Sequence, residues 1–254
     1  MTIPRLYLPR PLETGAVCAA AADQARYLKT VLRMREGDPL LVFNGTDWEY
    51  EAVIRQLTAE RMEMEITGRR ALPAAEIHIT LCQAIPKAEK MDGIIRHATE
   101  LGAKRIIPFI AERSVPRWRP EQFSRKRERW QKIAVEASRQ CGRSDIPEVG
   151  EIATFERMLR DVPESGLRLI PWEEEMKTGI REILRDPARA GLKEFVLVIG
   201  PEGGFSTGEI EQARHAGFLS VSLGRRVLRV ETASLAVLAI LQYERGGGKA
   251  ETTA

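Results

Sequence analysis

Residues 195–210 read FVLVIGPEGGFSTGEI, and this stretch decides the fold. Phe195, Val196, Leu197, Val198 and Ile199 make a short apolar run rich in β-branched side chains, closed by glycine and proline. Such a run reads as a strand buried on both faces, as the strands of a parallel sheet are. Gly200, Pro201, Glu202, Gly203 and Gly204 break it, and the missing β-carbons allow positive φ and close approach of another molecule to the backbone. Ser206 and Glu209 then stand at capping-box spacing, so a helix starts there, runs through Ile210 and Ala213 and stops at Gly217. The unit is strand, glycine loop, helix.

Residues 220–244, SVSLGRRVLRVETASLAVLAILQYE, repeat the design: an apolar strand ending at Leu223, a basic loop, and a helix from about Thr232. A glycine loop that opens a helix is by default an anion site. Glu202 opposes that default, because a carboxylate in the loop repels phosphate, and neither dinucleotide nor nucleoside-triphosphate glycine spacing is present. A cationic ligand would not be repelled.

The pair GPEGGFS at 200–206 and LGRRVLRVETAS at 223–234 resembles the RsmE family of ribosomal RNA uridine-N3 methyltransferases, a branch of the SPOUT methyltransferases. Residues 83–109 and 130–147, the latter with Glu136, Gln140, Gly142, Arg143 and Pro147, are similar to the same family. The pattern departs from it at Tyr27, Asn44 and His97. The resemblance implies an α/β fold: a SPOUT-type parallel sheet with a C-terminal trefoil knot, preceded by a small β-rich PUA-like barrel domain. It also implies S-adenosylmethionine as methyl donor, uridine N3 of small-subunit ribosomal RNA near the decoding centre as acceptor, and a homodimer. A class I methyltransferase is disfavoured by chain order, since its glycine loop follows the first strand of the catalytic domain.

Length and composition agree with an enzyme of this kind. The 254 residues allow one or two domains. Three scattered cysteines fit neither a disulfide framework nor a zinc site, which points to the reducing cytoplasm. No apolar run reaches the roughly 18 residues of a spanning helix, and the first ten residues lack a signal-peptide core. A soluble protein without membrane association is expected. Net charge is only +3, yet residues 113–143 carry ten Lys or Arg against three Glu, a local +7 that leaves −4 elsewhere. That asymmetry points to a polyanionic partner.

Residues 40–43, 48–57 and 61–67 read as strands, with Asn44 and Gly45 as a turn between two of them, and 19–33 has helix-forming composition. These make a small β-rich domain at 1–72, which the resemblance implies is a PUA-like RNA-binding domain. The proline-bearing segment 68–76 is the linker to a methyltransferase domain at 73–245, and the polar tail 246–254 is expected to be disordered. In the second domain, 77–81 and 105–110 read as strands around a helix marked by Met91, Ile94, Ile95, Ala98 and Leu101. Residues 167–172 read as a further strand and 177–185 as a helix. Strand, helix, strand order implies a parallel sheet.

RNA contacts are assigned to Arg5, Arg10, Arg33 and Arg35 in the first domain. In the second they are assigned to Arg113, Arg117, Trp118, Arg119, Arg143, Arg225 and Arg226, with Trp118 as the stacking candidate. Trp130, Ile133 and Ala137 share a helical face, so Trp130 reads as core. The cofactor is expected against Leu169, Ile170, Pro171 and Trp172, against Ile199, Gly200, Pro201, Glu202, Gly203 and Gly204, and against Leu223, Gly224, Val227, Leu228 and Thr232. No metal is required.

Uracil N3 carries a proton and a delocalised lone pair, so methylation needs a proton acceptor and donors for charge that spreads to O2 and O4. Glu202, Glu231, Arg143 and Arg229 are the candidates. Two other readings stand beside this one: a non-catalytic RNA-binding ribosome-assembly factor, and a SPOUT methyltransferase acting on another RNA.

Overall fold

The computed structural model describes residues 3–73, 75–115 and 118–246. Two compact units divide the chain, one gathering Met1–Ala74 with Ser138–Ile146, the other Ala75–Ala137 with Pro147–Ala254. Arg117, and the tail from residue 247, lie outside the described residues.

The first unit contains β1 (Arg5–Tyr7), β2 (Val17–Ala20), α1 (Ala22–Thr30), β3 (Pro39–Phe43), β4 (Trp48–Leu57) and β5 (Met62–Ala71). Its five-stranded sheet runs in the order β1-β3-β4-β5-β2, antiparallel except where β1 joins β3. Alternation drives it. Met62, Met64 and Ile66 point inward from β5 and pack with Leu40, Val42, Ile54 and the α1 residue Leu28.

The helix expected at 19–33 is shorter, because residues 17–20 are claimed by pairing with β5, where Val17 faces Glu65 and Ala20 faces Met62. Sheet pairing overrides the alanine-rich composition. Arg5 is also not a surface arginine. It is 10% exposed and paired at 2.9 Å with Glu49, itself 3% exposed, which Arg70 also engages. Arg5 donates further to the Arg143 carbonyl at 3.1 Å and to Ser144 Oγ at 2.9 Å. Its expected RNA contact is therefore replaced by a buried ion pair that ties residues 143–144 to this unit.

The second unit begins with β6 (His78–Ala84), α2 (Lys90–Glu100), β7 (Ala103–Ile110) and α3 (Phe123–Cys141), whose last residues, from Ser138, count with the first unit. There follow β8 (Glu148–Val149), β9 (Ala153–Thr154), α4 (Phe155–Asp161), β10 (Leu167–Pro171) and α5 (Ile180–Leu184). The chain ends with β11 (Glu194–Ile199), α6 (Thr207–His215), β12 (Leu219–Val221) and α7 (Val230–Arg245). The strand order is β12-β10-β11-β6-β7-β8, with β9 also on β7, and every pairing is parallel.

The founding stretch sits inside this sheet. Phe195 to Ile199 are all buried, between β10 and β6. Ser206 caps α6, and Glu209 returns the bond to Ser206 N–H at 2.9 Å, its other oxygen taking the Glu112 N–H at 2.9 Å. Ser234 Oγ of α7 donates to Gln83 Oε1 of β6 at 2.6 Å, a buried polar pair that fixes the last helix to the sheet. Trp130 is 1% exposed, in keeping with its helical spacing. The helix expected at 177–185 starts only at Ile180, because Glu175 accepts the N–H groups of Lys177 and Thr178 and holds them in a turn.

Candidate active site

Strand ends in a parallel sheet point their loops to one edge, and ligands bind outside the carboxyl ends. Here a cavity of about 460 Å³ opens between the ends of β10 and β11 and the loop that leads from β12 to α7. That volume falls within the roughly 300–1,000 Å³ of small-molecule and cofactor sites.

From β10 the cavity takes Pro171 and Trp172; from β11 and its loop, Ile199, Gly200, Pro201 and Gly204; from the last loop, Leu223, Gly224, Val227 and Leu228. Arg225 and Arg226, assigned above to RNA, line it as well. Five of the residues expected at the cofactor do not. Leu169 and Ile170 are fully buried within β10, opposite Leu219 and Ser220 of β12, so they support the wall from behind. Glu202 and Gly203 stand on the outer side of their loop, and Thr232 is an exposed residue of the first turn of α7.

Glu173, Met176, Phe205, Ser222, Val230 and Ala233 line the cavity without having been singled out in the sequence. Val230 and Ala233, three apart at the start of α7, share a helical face, and Phe205 and Ser222 adjoin the motifs; that spacing could have found them. Met176 carries no such signal, since only the Glu175 turn places it.

Trp172 is held from two sides. Its backbone N–H donates to Val221 at 3.1 Å, and the Arg214 guanidinium lies 5.5 Å over its ring. Arg214 is held in turn by Ser220 Oγ at 2.9 Å, and that hydroxyl donates to Glu175 at 2.6 Å. The Ser220 bond, with the amides of Lys177 and Thr178, keeps the Glu175 carboxyl below the usual carboxylate range. The indole Nε1–H of Trp172 is nonetheless buried without a hydrogen-bond partner. Gly200 and Gly204, without side chains, leave the main chain of that wall open to a ligand's polar groups.

Beside the cavity lies a charged triad. Lys90 Nζ is 3.0 Å from Glu202 Oε1 and 3.2 Å from Glu231 Oε2. Burial by itself would raise the Glu202 carboxyl, but Lys90 and the N–H groups of Glu202 and Lys87 outweigh it and hold it below its ordinary range. Glu231 is lowered first by its own amide at the start of α7, against burial, and then by Lys90. Lys90 is raised, by its bond to Glu202 first and that to Glu231 second.

The lysine therefore stays charged through neutral pH, and the carboxylates set the acid limit. With folded values depressed, their stabilisation is complete above the ordinary carboxylate range and is lost as pH falls through the folded values. Urea midpoints measured down that range should drop, and Glu231→Gln should flatten the drop. An unchanged acid limb in that variant would contradict the triad.

The other candidates are dispersed. Arg229 is exposed at the N-cap of α7, close enough to lower Glu231. Arg143 belongs to the first unit and makes a bidentate pair with Asp145 at 3.1 and 2.5 Å. Arg113 donates to the Gly203 carbonyl at 3.0 Å, bracing the glycine loop. Trp118 is half-buried, 5.8 Å from Trp130 and with Lys126 Nζ 4.8 Å over its ring. Arg10, Arg33, Arg35 and Arg119 are exposed. Among the described residues no group of His, Cys, Asp and Glu is placed to hold a metal ion, and no helix is long and apolar enough to cross a membrane.

The unit with the parallel sheet carries its cavity between the C-terminal loops, and the class it belongs to is that of RNA methyltransferases. Residues 73–242 match the RNA methyltransferase domain and residues 21–66 the RNA methyltransferase PUA domain. Ribosomal RNA small subunit methyltransferase E of Bacillus subtilis is 30% identical over 241 residues, 92% of each chain, and that of Rickettsia conorii 33% over 238 residues, 92% and 93%. The chain belongs to this RsmE family. The crystal structure of the Neisseria gonorrhoeae member bound to S-adenosyl methionine superposes with TM-score 0.87 at 32% identity, covering 98% of this chain and all of that one. A Legionella pneumophila structure with bound SAM gives 0.85 at 33% identity, covering 96% and 98%. The SPOUT-type α/β domain and the PUA-like sheet are thus those of the family.

Proposed function

We propose that this protein transfers a methyl group from S-adenosylmethionine to N3 of a uridine in small-subunit ribosomal RNA, near the decoding centre. The observation that carries the proposal is the cavity of about 460 Å³ walled by Trp172, Gly200 and Leu228 at the carboxyl ends of the parallel strands. Relatives that share nearly its whole length are small-subunit ribosomal RNA methyltransferases, and one was crystallised with this donor.

Bound there, S-adenosylmethionine supplies an electrophilic methyl on a cationic sulfonium. Pro171, Trp172, Gly200, Pro201 and residues 223–228 would hold it, with the main chain of the glycine loop open to its polar edges. Phosphate is steered by Arg225 and Arg226 at the rim. Glu202 and Glu231, already paired with Lys90 and less basic than free carboxylates, are better suited to aligning the site than to removing the N3 proton. Arg229 and Arg143 remain the candidates for holding charge on the uracil. The knotted C-terminal topology, homodimerisation through that region and residence in the cytoplasm complete the proposal.

The test is methyl transfer from labelled S-adenosylmethionine to small ribosomal subunits from cells lacking this protein, followed by mapping of the modified base. Label at uridine N3 is expected. Absence of label with RNA binding intact would leave the assembly-factor reading.

A further inference from the structure

Three segments far apart in the chain meet at Lys90. It is the first residue of α2; Glu202 stands in the loop after β11, and Glu231 in the first turn of α7. Glu202 also accepts the Lys87 backbone N–H, 3.2 Å from each of its oxygens. Between those two donors Ala88 has φ 56°, a left-handed conformation that a residue with a β-carbon keeps only where its surroundings impose it. The backbone after β6 is thus bent so that an amide and an ammonium reach one carboxylate. Gly200, Pro201 and Gly204 of the same loop line the cavity, and so do Leu228 and Val230 just before Glu231.

We infer that Lys90 is the positioning residue that holds the two cavity loops, 200–204 and 223–229, at a fixed separation by sharing its ammonium between Glu202 and Glu231. The inference rests on the methyl-transfer reading for its kinetic consequence but not for its geometry. The first loop meets the cavity through Gly200, Pro201 and Gly204, which have no flexible side chain to rearrange, so it cannot adapt to a shift of the second by changing rotamers. Their spacing has to be set from outside. One cation between two carboxylates attracts both; without it, two like charges face each other and drive the loops apart.

Lys90→Met in the full-length protein tests this. Loosened loops still accept the donor but misalign it, so kcat should fall roughly tenfold to a hundredfold, the usual scale for a misplacement of about 1 Å. Affinity for S-adenosylmethionine, by calorimetry, should weaken by no more than about fivefold, as for partly exposed ion pairs. Amide hydrogen exchange at Lys87 and across 200–204 should accelerate. Lys90→Arg should recover most of the kcat, because a guanidinium can engage both carboxylates. Arg129→Met, which removes another cation paired with α2 through Asp92, should leave all three measurements as in the wild type. Wild-type exchange and kcat in Lys90→Met would overturn the inference, as would an arginine variant as impaired as the methionine one. Wild-type protein that neither binds the donor nor methylates would overturn the functional reading instead, while exchange would still decide the clamp.

Discussion

Gly200→Val should lose S-adenosylmethionine binding by more than about a hundredfold while the protein remains folded, an effect on the scale of removing a buried anchor from a binding site. A β-carbon at Gly200 would lie 3.0, 3.2 and 3.2 Å from three ring carbons of Phe205. That ring cannot retreat. Phe205 is 3% exposed and 5.9 Å from Phe155, which lies 5.7 Å from Phe109, all three in one core cluster. The strain must go into the backbone, and the free direction is the cavity, which Gly200 lines between Ile199 and Pro201. Overpacking of this kind costs about 1–3 kcal/mol of stability. Calorimetric titration of protein shown to be folded by circular dichroism gives the answer; affinity within about threefold of wild type, far below that anchor scale, would remove this wall from the site. Gly203→Val is the comparison. Its β-carbon would meet Arg113 Cβ at 3.1 Å on the outer side of the loop, so a smaller loss is expected.

The contrast between those glycines shows what the sequence could and could not reveal. Five neighbouring residues read as one ligand loop, since glycine content marks where backbone can be approached. It does not tell which side of the loop is approached. Glu202 turns away from the cavity to Lys90 because of where α2 begins, and that depends on tertiary placement of a segment more than a hundred residues upstream. The strand at 195–199 was legible because burial on both faces leaves an unbroken apolar run. Strand β1, of three residues, and the two-residue strands β8 and β9 are too short to show any period. Arg5 illustrates the same limit for charge. An arginine near a chain start reads as exposed, and only the inward position of Glu49 on β4 shows why it is buried. Lys90, one of nine lysines in the sequence, became visible only when two carboxylates converged on it.

Gly166→Ala should have the largest effect on stability, on the order of 3–5 kcal/mol, because it combines a forbidden backbone conformation with a main-chain collision. Gly166 has φ +96°, and a β-carbon there would lie 2.3 Å from the Glu194 carbonyl oxygen and 2.8 Å from its carbon. No rotamer relieves contact with main chain, so β10 and β11 must part where Leu167 pairs with Phe195. Pro171 and Gly200 sit at the opposite ends of those strands, where the cavity is, and pairing of Leu169 with Leu197 lies between. The damage should therefore reach the fold and not the site. A ligand that binds only the native state raises stability by an amount set by its concentration and affinity alone. Saturating S-adenosylmethionine should raise the urea midpoint of Gly166→Ala by the same free energy as in wild type, from a much lower start, whereas in Gly200→Val it should raise nothing. If the donor failed to stabilise Gly166→Ala, the two strand ends would be coupled along their length, and the cavity would have to be understood as a product of the whole sheet.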